Sequence, residues 1–171
     1  MLPIAKAFLD IALRRQTPAY LPASLLLLVL AACAVALTEV LGALLPPPPN
    51  GQIPLRIALE VGMPLTFTWI LLALARRRAR FLQTATALLG VGALAALILY
   101  PLESVLRVMG EDKWASLPVG VIWTAVLIGY LLACAHIWRS ALDCGFLLGV
   151  VITLSYFILS SSIDHHLLAQ S

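Results

Sequence analysis

Two carboxylates stand where carboxylates are costly. Glu39 lies in the apolar run from Leu21 to Leu45, interrupted otherwise only by Ser24 and Thr38, and Glu60 lies near the start of the run from Ile57 to Ala75. Within hydrocarbon an acid must be protonated, paired or open to a wet cavity. Both acids flank the loop that joins these two runs, so packing one run on the other would bring them together as a coupled proton or cation site. Each also has a plainer reading. Glu39 stands late enough in its run to reach the headgroup layer, and Glu60, followed by Gly62 and Pro64, can complement the positive end of a helix beginning near Ile57.

Other reactive residue types lack supporting neighbours. Arg76, Arg77, Arg78 and Arg80 form a basic cluster suited either to anionic lipid head groups, at about 1 kcal/mol per residue, or simply to fixing orientation. His136 has no second histidine at its depth, so no haem is expected. Asp164, His165 and His166 read as a solvated tail rather than a metal site. Cys33, Cys134 and Cys144 show no Cys-x-x-Cys spacing and read as buried small hydrophobes, without disulfide or metal. Thr153 and Ser155 are expected to return hydrogen bonds to their own helix. There is no Walker loop, His-Glu-x-x-His, Gly-x-Ser-x-Gly or dinucleotide fingerprint, so neither an enzyme nor a cofactor is expected.

The elements that carry these residues follow from composition. Of 171 residues 62% are hydrophobic and 11% charged, with a mean hydropathy of +1.02. That excludes an ordinary soluble domain, a disordered chain and a nucleic-acid binder, despite a net charge of +3. About 20 apolar residues suffice to cross a bilayer core as a helix. Five runs reach that length: 21–45, 57–75, 81–100, 118–138 and 144–163. The expected fold is therefore all-α, a polytopic transmembrane helical bundle forming a single domain over 1–171. Between the spans, 46–56 is a Pro-rich outer loop and 101–117 an outer loop holding an in-plane helix, since Leu102, Val105, Leu106 and Met109 make an apolar stripe. Residues 2–15, within an interfacial segment 1–18, form a short amphipathic helix along the inner surface, carried by Ile4, Phe8 and Ile11. Leu30-Ala31-Ala32-Cys33 matches a lipoprotein cleavage box, yet the apolar run continues past it, which favours an uncleaved span.

Orientation follows from sorting the basic residues. With a cytoplasmic amino terminus, Lys6, Arg14, Arg15, Arg76, Arg77, Arg78, Arg80 and Arg139 lie inside, and only Arg56, Arg107 and Lys113 outside. The carboxyl terminus is then periplasmic, in an inner membrane. Tyr20, Tyr100, Trp114 and Trp138 are expected at the interfaces, with Trp69 and Trp123 too deep for that role. Gly145 and Gly149 on span five, and Gly90 and Gly92 on span three, leave room for close helix approach.

Arg80-Phe81-Leu82-Gln83-Thr84, then Leu89-Gly90-Val91-Gly92, ending in Tyr100-Pro101, resembles the middle helices of bacterial Yip1-domain membrane proteins. Glu60-Val61-Gly62-Met63-Pro64-Leu65 is similar to the acid-x-x-Gly-Pro element that opens this domain in eukaryotic members, with Met63 set between Gly and Pro. The resemblance covers 60–163 and implies a helical membrane adaptor. The expected function is thus a non-enzymatic adaptor, scaffold or accessory subunit. Its partners would be membrane lipids and a membrane protein or a second copy, with no nucleic acid. The alternative is a small transporter or proton- or ion-coupled subunit using Glu39 and Glu60.

Overall fold

A computed structural model describes residues 2–46, 53–110 and 113–168, with side chains over 6–46, 53–110 and 116–163. The described residues form six α-helices and no strand: α1 (Leu2–Ala12), α2 (Leu25–Ala43), α3 (Ile53–Leu74), α4 (Phe81–Met109), α5 (Lys113–Leu142) and α6 (Phe146–Leu168), with single 3-10 turns at Pro18–Tyr20 and Arg78–Arg80. Among the described residues five helices are long and apolar enough to cross a membrane, and the protein is membrane-embedded.

The helix ends depart from the expected spans mainly at prolines. α4 runs through Pro101 to Met109, so the expected in-plane helix in 101–117 is instead the continuation of span three. Proline removes only the donor that would reach Leu97, and the next turn is held by Ser104, whose hydroxyl donates to the carbonyl of Pro46. α3 starts at Ile53 rather than Ile57, because Pro54 is tolerated in a first helical turn. α5 likewise runs past Arg139 to Leu142. Of the Pro-rich loop 46–56, residues 47–52 lie outside the described residues. Trp114 and the side chains of Asp164, His165 and His166 lie outside the described side chains, and α6 carries the backbone of 164–166 as helix.

α4 is the hub. It packs against α1, α2, α3 and α5, while α6 completes the bundle on α5. A helix enclosed on several sides needs small side chains all round, and Thr84, Ala85, Thr86, Ala87, Gly90 and Ala93 are all buried on it. Two apolar clusters result. Leu28, Ala31, Val35, Ala85, Leu89 and Ala93 knit α2 to α4. Ile11, Leu27, Ala87, Val91, Ala133 and Ile137 knit α1, α2, α4 and α5.

α1, the expected amphipathic helix, turns its apolar residues onto α4 and α5. Ile11 is fully buried, and Phe8 fills the space left by Gly90, nine residues or about 13 Å along α4. Its apolar face is thus taken up by the bundle. Gln83 Nε2 donates to the carbonyl of Leu21 at 2.9 Å, fixing the chain between α1 and α2 against α4. His136 Nε2 lies 3.3 Å from the carbonyl oxygen of Gln16.

The ends of α1, α3 and α5 close in the same way, each with a non-glycine residue in the left-handed region: Arg14 at φ 59°, Arg76 at 56° and Asp143 at 45°. The backbone N–H groups of Arg15, Arg77 and Cys144 reach back to the carbonyls of Asp10, Leu72 and Arg139, closing each final turn. The ends of α3 and α5 mark the arginine end of the bundle; the opposite, glutamate end lies where α2 stops and α3 starts.

The faces of these helices correct several expectations. Trp138 is only 2% exposed and packs on Phe67 with ring centroids 5.7 Å apart, so it is no interfacial anchor. Trp69 is 53% exposed and lies under the Arg78 guanidinium, 5.8 Å from its ring centroid. Cys33 is exposed rather than core, on the face of α2 opposite Ala31 and Val35. Thr153 donates to the carbonyl of Gly149 at 2.9 Å, as expected for a hydroxyl inside a span.

The glycines differ in what they meet. A methyl added at Gly149 would fall on the carbonyl of Ala135, which belongs to the α5 backbone and cannot swing aside, whereas one at Gly145 meets open space. Gly149→Ala should therefore lower stability to thermal unfolding by about 1–3 kcal/mol, and Gly145→Ala should stay within about 0.5 kcal/mol. Equal stabilities would contradict this packing of α6 on α5.

Candidate functional site

Glu39 lies four residues before the end of α2, about 6 Å from the glutamate end, and is only 5% exposed. Its position among apolar neighbours demands partners, and two other helices supply them. The Tyr100 hydroxyl, from α4, donates to Glu39 Oε1. The Arg56 guanidinium, from the first turn of α3, places Nε 3.5 Å from Glu39 Oε2. Tyr100 can come this close because Gly42 has no side chain: a Cβ there would lie 2.6 Å from the ring. Thr38, next to Glu39, turns its hydroxyl back to the carbonyl of Val35 at 2.7 Å. Glu39, Tyr100 and Arg56 thus form a polar bar across α2, α4 and α3.

Glu60 lies seven residues into α3, about 10 Å from the same end. That is beyond the first turn, so it does not complement the helix start, and α3 has no acid there. It opens instead onto a cavity of about 220 Å³ to which all five long helices contribute. Val35, Thr38 and Glu39 come from α2, Glu60 and Pro64 from α3, and Gly92, Ala95, Ala96, Leu99 and Tyr100 from α4. Leu127 and Tyr130 come from α5 and Tyr156 and Phe157 from α6. The two acids expected to meet do share this chamber.

The reason a space exists is legible in α4. At Gly92, Ala95 and Ala96 the helix carries no bulk, and the nearest atom to a Cβ at Gly92 would be the Tyr130 hydroxyl oxygen at 3.7 Å. Pro64 faces the same chamber and lacks the donor that would reach the Glu60 carbonyl in a regular helix. Toward the arginine end Phe67 packs on Tyr156, with centroids 5.2 Å apart, and on Trp138. Toward the glutamate end the polar bar separates the chamber from a smaller space of about 40 Å³, lined by Arg56, Glu103, Ser104 and Arg107 as well as by the bar itself. Glu60 and Phe157 are both exposed, so the chamber is a cleft open along the side between α3 and α6.

The basic cluster divides into two kinds. Arg77 and Arg80 are structural: both pair with Asp143, Arg80 at 3.0 Å. Arg80 also donates to the carbonyls of Ser140 and Ala141 at 2.9 and 3.1 Å, covering the last carbonyls of α5. Arg76 and Arg78 are exposed. Gly90 and Gly149 serve contacts within the chain, while Gly92 borders the cleft. Among the described residues no three His, Cys, Asp or Glu side chains cluster as a metal site would require.

Sequence reasoning found both acids and missed what surrounds them. The sequence marks Tyr100 only as an interfacial aromatic and Arg56 only as an outer charge, and carries no signal for Tyr130, Tyr156 or Phe157. One signal was present, since Arg56 precedes Glu60 by four residues and shares its helix face. No family model matches this chain, and neither a curated protein nor a solved structure does.

The hydrogen bonds from Arg80 and then Arg77 hold the Asp143 carboxyl below the usual carboxylate range. A group whose pKa is lower folded than unfolded adds stability at pH values above about 3.9, and loses it as pH falls through the folded value. Stability followed on acidification below about pH 4 should therefore decline less in Asp143→Asn than in the parent protein. Parallel curves would show that the pairing contributes nothing.

Proposed function

We propose that this chain is a small multi-pass transporter, or the ion-coupled subunit of one, in which Glu39 and Glu60 are the working carboxylates of the central cleft. One observation carries this reading: two acids from different helices converge on a single chamber inside an otherwise apolar bundle. Acids at membrane depth mark ion pathways and proton relays more often than they mark packing, and small residues with a proline-interrupted helix are how a bundle leaves room for such a site. Binding and release through the cleft require no covalent step, so the protein is read as neither an enzyme nor dependent on a cofactor.

The adaptor reading drew on small residues as surfaces for other helices. Gly90 and Gly149 are filled from within by Phe8 and Ala135, which moves weight to the cleft. The exposed apolar side chains, among them Leu26, Ile98, Val121 and Ile158, form a surface for lipid. We place the arginine end at the cytoplasmic face of an inner membrane because the basic residues concentrate there.

Proton flux tests the reading. Protein reconstituted in liposomes with an imposed membrane potential should move protons faster than protein-free liposomes, and Glu39→Gln and Glu60→Gln should each lower that excess at least tenfold. Flux indistinguishable from empty liposomes, or unchanged in both variants, would overturn it.

A further inference from the structure

Two of the four clustered arginines have structural work and two do not, and we infer that the remaining pair, Arg76 and Arg78, holds the phosphate of an anionic phospholipid against Trp69 at the arginine end of α3. Charge comes first. The stretches 76–80 and 139–143 carry five arginines and one acid, Asp143, and that acid is shared by Arg77 and Arg80. Among the described residues no carboxylate pairs with Arg76 or Arg78, and both are exposed. Guanidinium groups left in that state at a membrane surface favour phosphate esters, which they meet with paired N–H donors.

Geometry then separates binding from orientation. Orientation needs basic residues on one side of the membrane and is indifferent to how they are arranged. Arg78 is arranged. Its guanidinium lies over the Trp69 ring, 5.8 Å from the centroid, although Trp69 precedes Leu74 at the end of α3 by five residues. The side chain thus folds back along α3 toward the apolar span instead of extending into water. A guanidinium over a ring engages it by its face, and the N–H donors, which lie in the guanidinium plane, stay available to a phosphate.

The surface beneath selects a lipid over a soluble anion. Trp69, Ile70 and Leu74 share one face of α3 at helical spacing, and all three are exposed. α3 packs against α2, α4 and α6 with its other faces. A phospholipid can lay an acyl chain along the exposed face while its phosphate meets the arginines; a soluble phosphate makes no use of it. A zwitterionic head group carries its own cation beside the phosphate, so it gains less from the pair.

Native mass spectrometry of the detergent-solubilised protein, titrated with phosphatidylglycerol or with phosphatidylcholine of identical chains, tests the inference. A basic residue near an anionic lipid is worth about fivefold in affinity, so phosphatidylglycerol should bind at least tenfold more tightly. Replacing both arginines, Arg76→Gln with Arg78→Gln, should abolish the preference while leaving affinity for phosphatidylcholine unchanged, which also reports an intact bundle. Arg14→Gln with Arg15→Gln removes the same charge from the link after α1 and should leave the preference in place. Trp69→Leu, which keeps the surface apolar and removes the ring, should weaken phosphatidylglycerol about threefold. Glycerol 3-phosphate, the same head chemistry without chains, should fail to displace the lipid even in large excess. Equal affinity for the two lipids, a preference that survives loss of Arg76 and Arg78, an equal loss in the Arg14 and Arg15 variant, or displacement by glycerol 3-phosphate would each overturn the inference.

Discussion

A carboxylate that cannot be left alone organises the glutamate end of this bundle. Glu39 is almost wholly withdrawn from the surface, in an apolar helix, and a buried charge without compensation costs several kcal/mol. Its compensation comes from two other helices, the hydroxyl of Tyr100 on α4 and the guanidinium of Arg56 on α3. Arg56 reaches Glu39 from the first turn of α3, and Tyr100 reaches it from the turn of α4 just before Pro101. The Tyr100 contact also requires Gly42, because any larger residue would displace the Tyr100 ring. The polar bar is therefore a packing constraint on three helices as well as one wall of the cleft.

The arginine end solves a different problem by related means. The last carbonyls of α1, α3 and α5 have no partners in their own helices. They are met by final turns that place Arg14, Arg76 and Asp143 in left-handed conformations, and for α5 also by Arg80. With Arg77 and Arg80 drawn together on Asp143, the short links α3–α4 and α5–α6 are tied to each other. Between the two fixed ends, the small residues of α4 serve opposite purposes. Gly90 is filled by Phe8, whereas Gly92, Ala95 and Ala96 are left facing open space. The bundle is cross-linked by polar contacts at both ends and hollow in the middle.

The membrane-spanning helices were readable in the sequence because an apolar run of sufficient length has few alternatives. Their ends were less so. A span of 81–100 ends before Pro101, yet a proline costs a helix one donor and some strain, and neighbouring contacts can carry the chain past it. Which face of each helix turns inward was not readable at all. Helices that are apolar all round carry no periodic signal, so the sequence places Trp138 at an interface, Trp69 at depth and Cys33 in the core, each at odds with the observed packing. Glu39 and Glu60 stood out because acids in hydrocarbon are expensive wherever they fall. Their neighbours Tyr100, Arg56 and Tyr130 depend on the order in which helices pack, which composition does not encode.

A transporting cleft must hold water rather than lipid, even though it opens sideways between α3 and α6. Ala96 lines it, and Leu97, the next residue at nearly the same depth, is half-exposed on another face of α4. In protein whose three cysteines have been replaced, single cysteines at these two positions can be exposed in nanodiscs to a charged, membrane-impermeant maleimide. Rapid labelling of Ala96→Cys with none of Leu97→Cys is the expected result. Silence at both positions, or equal labelling, would contradict a water-accessible polar chamber in the bundle.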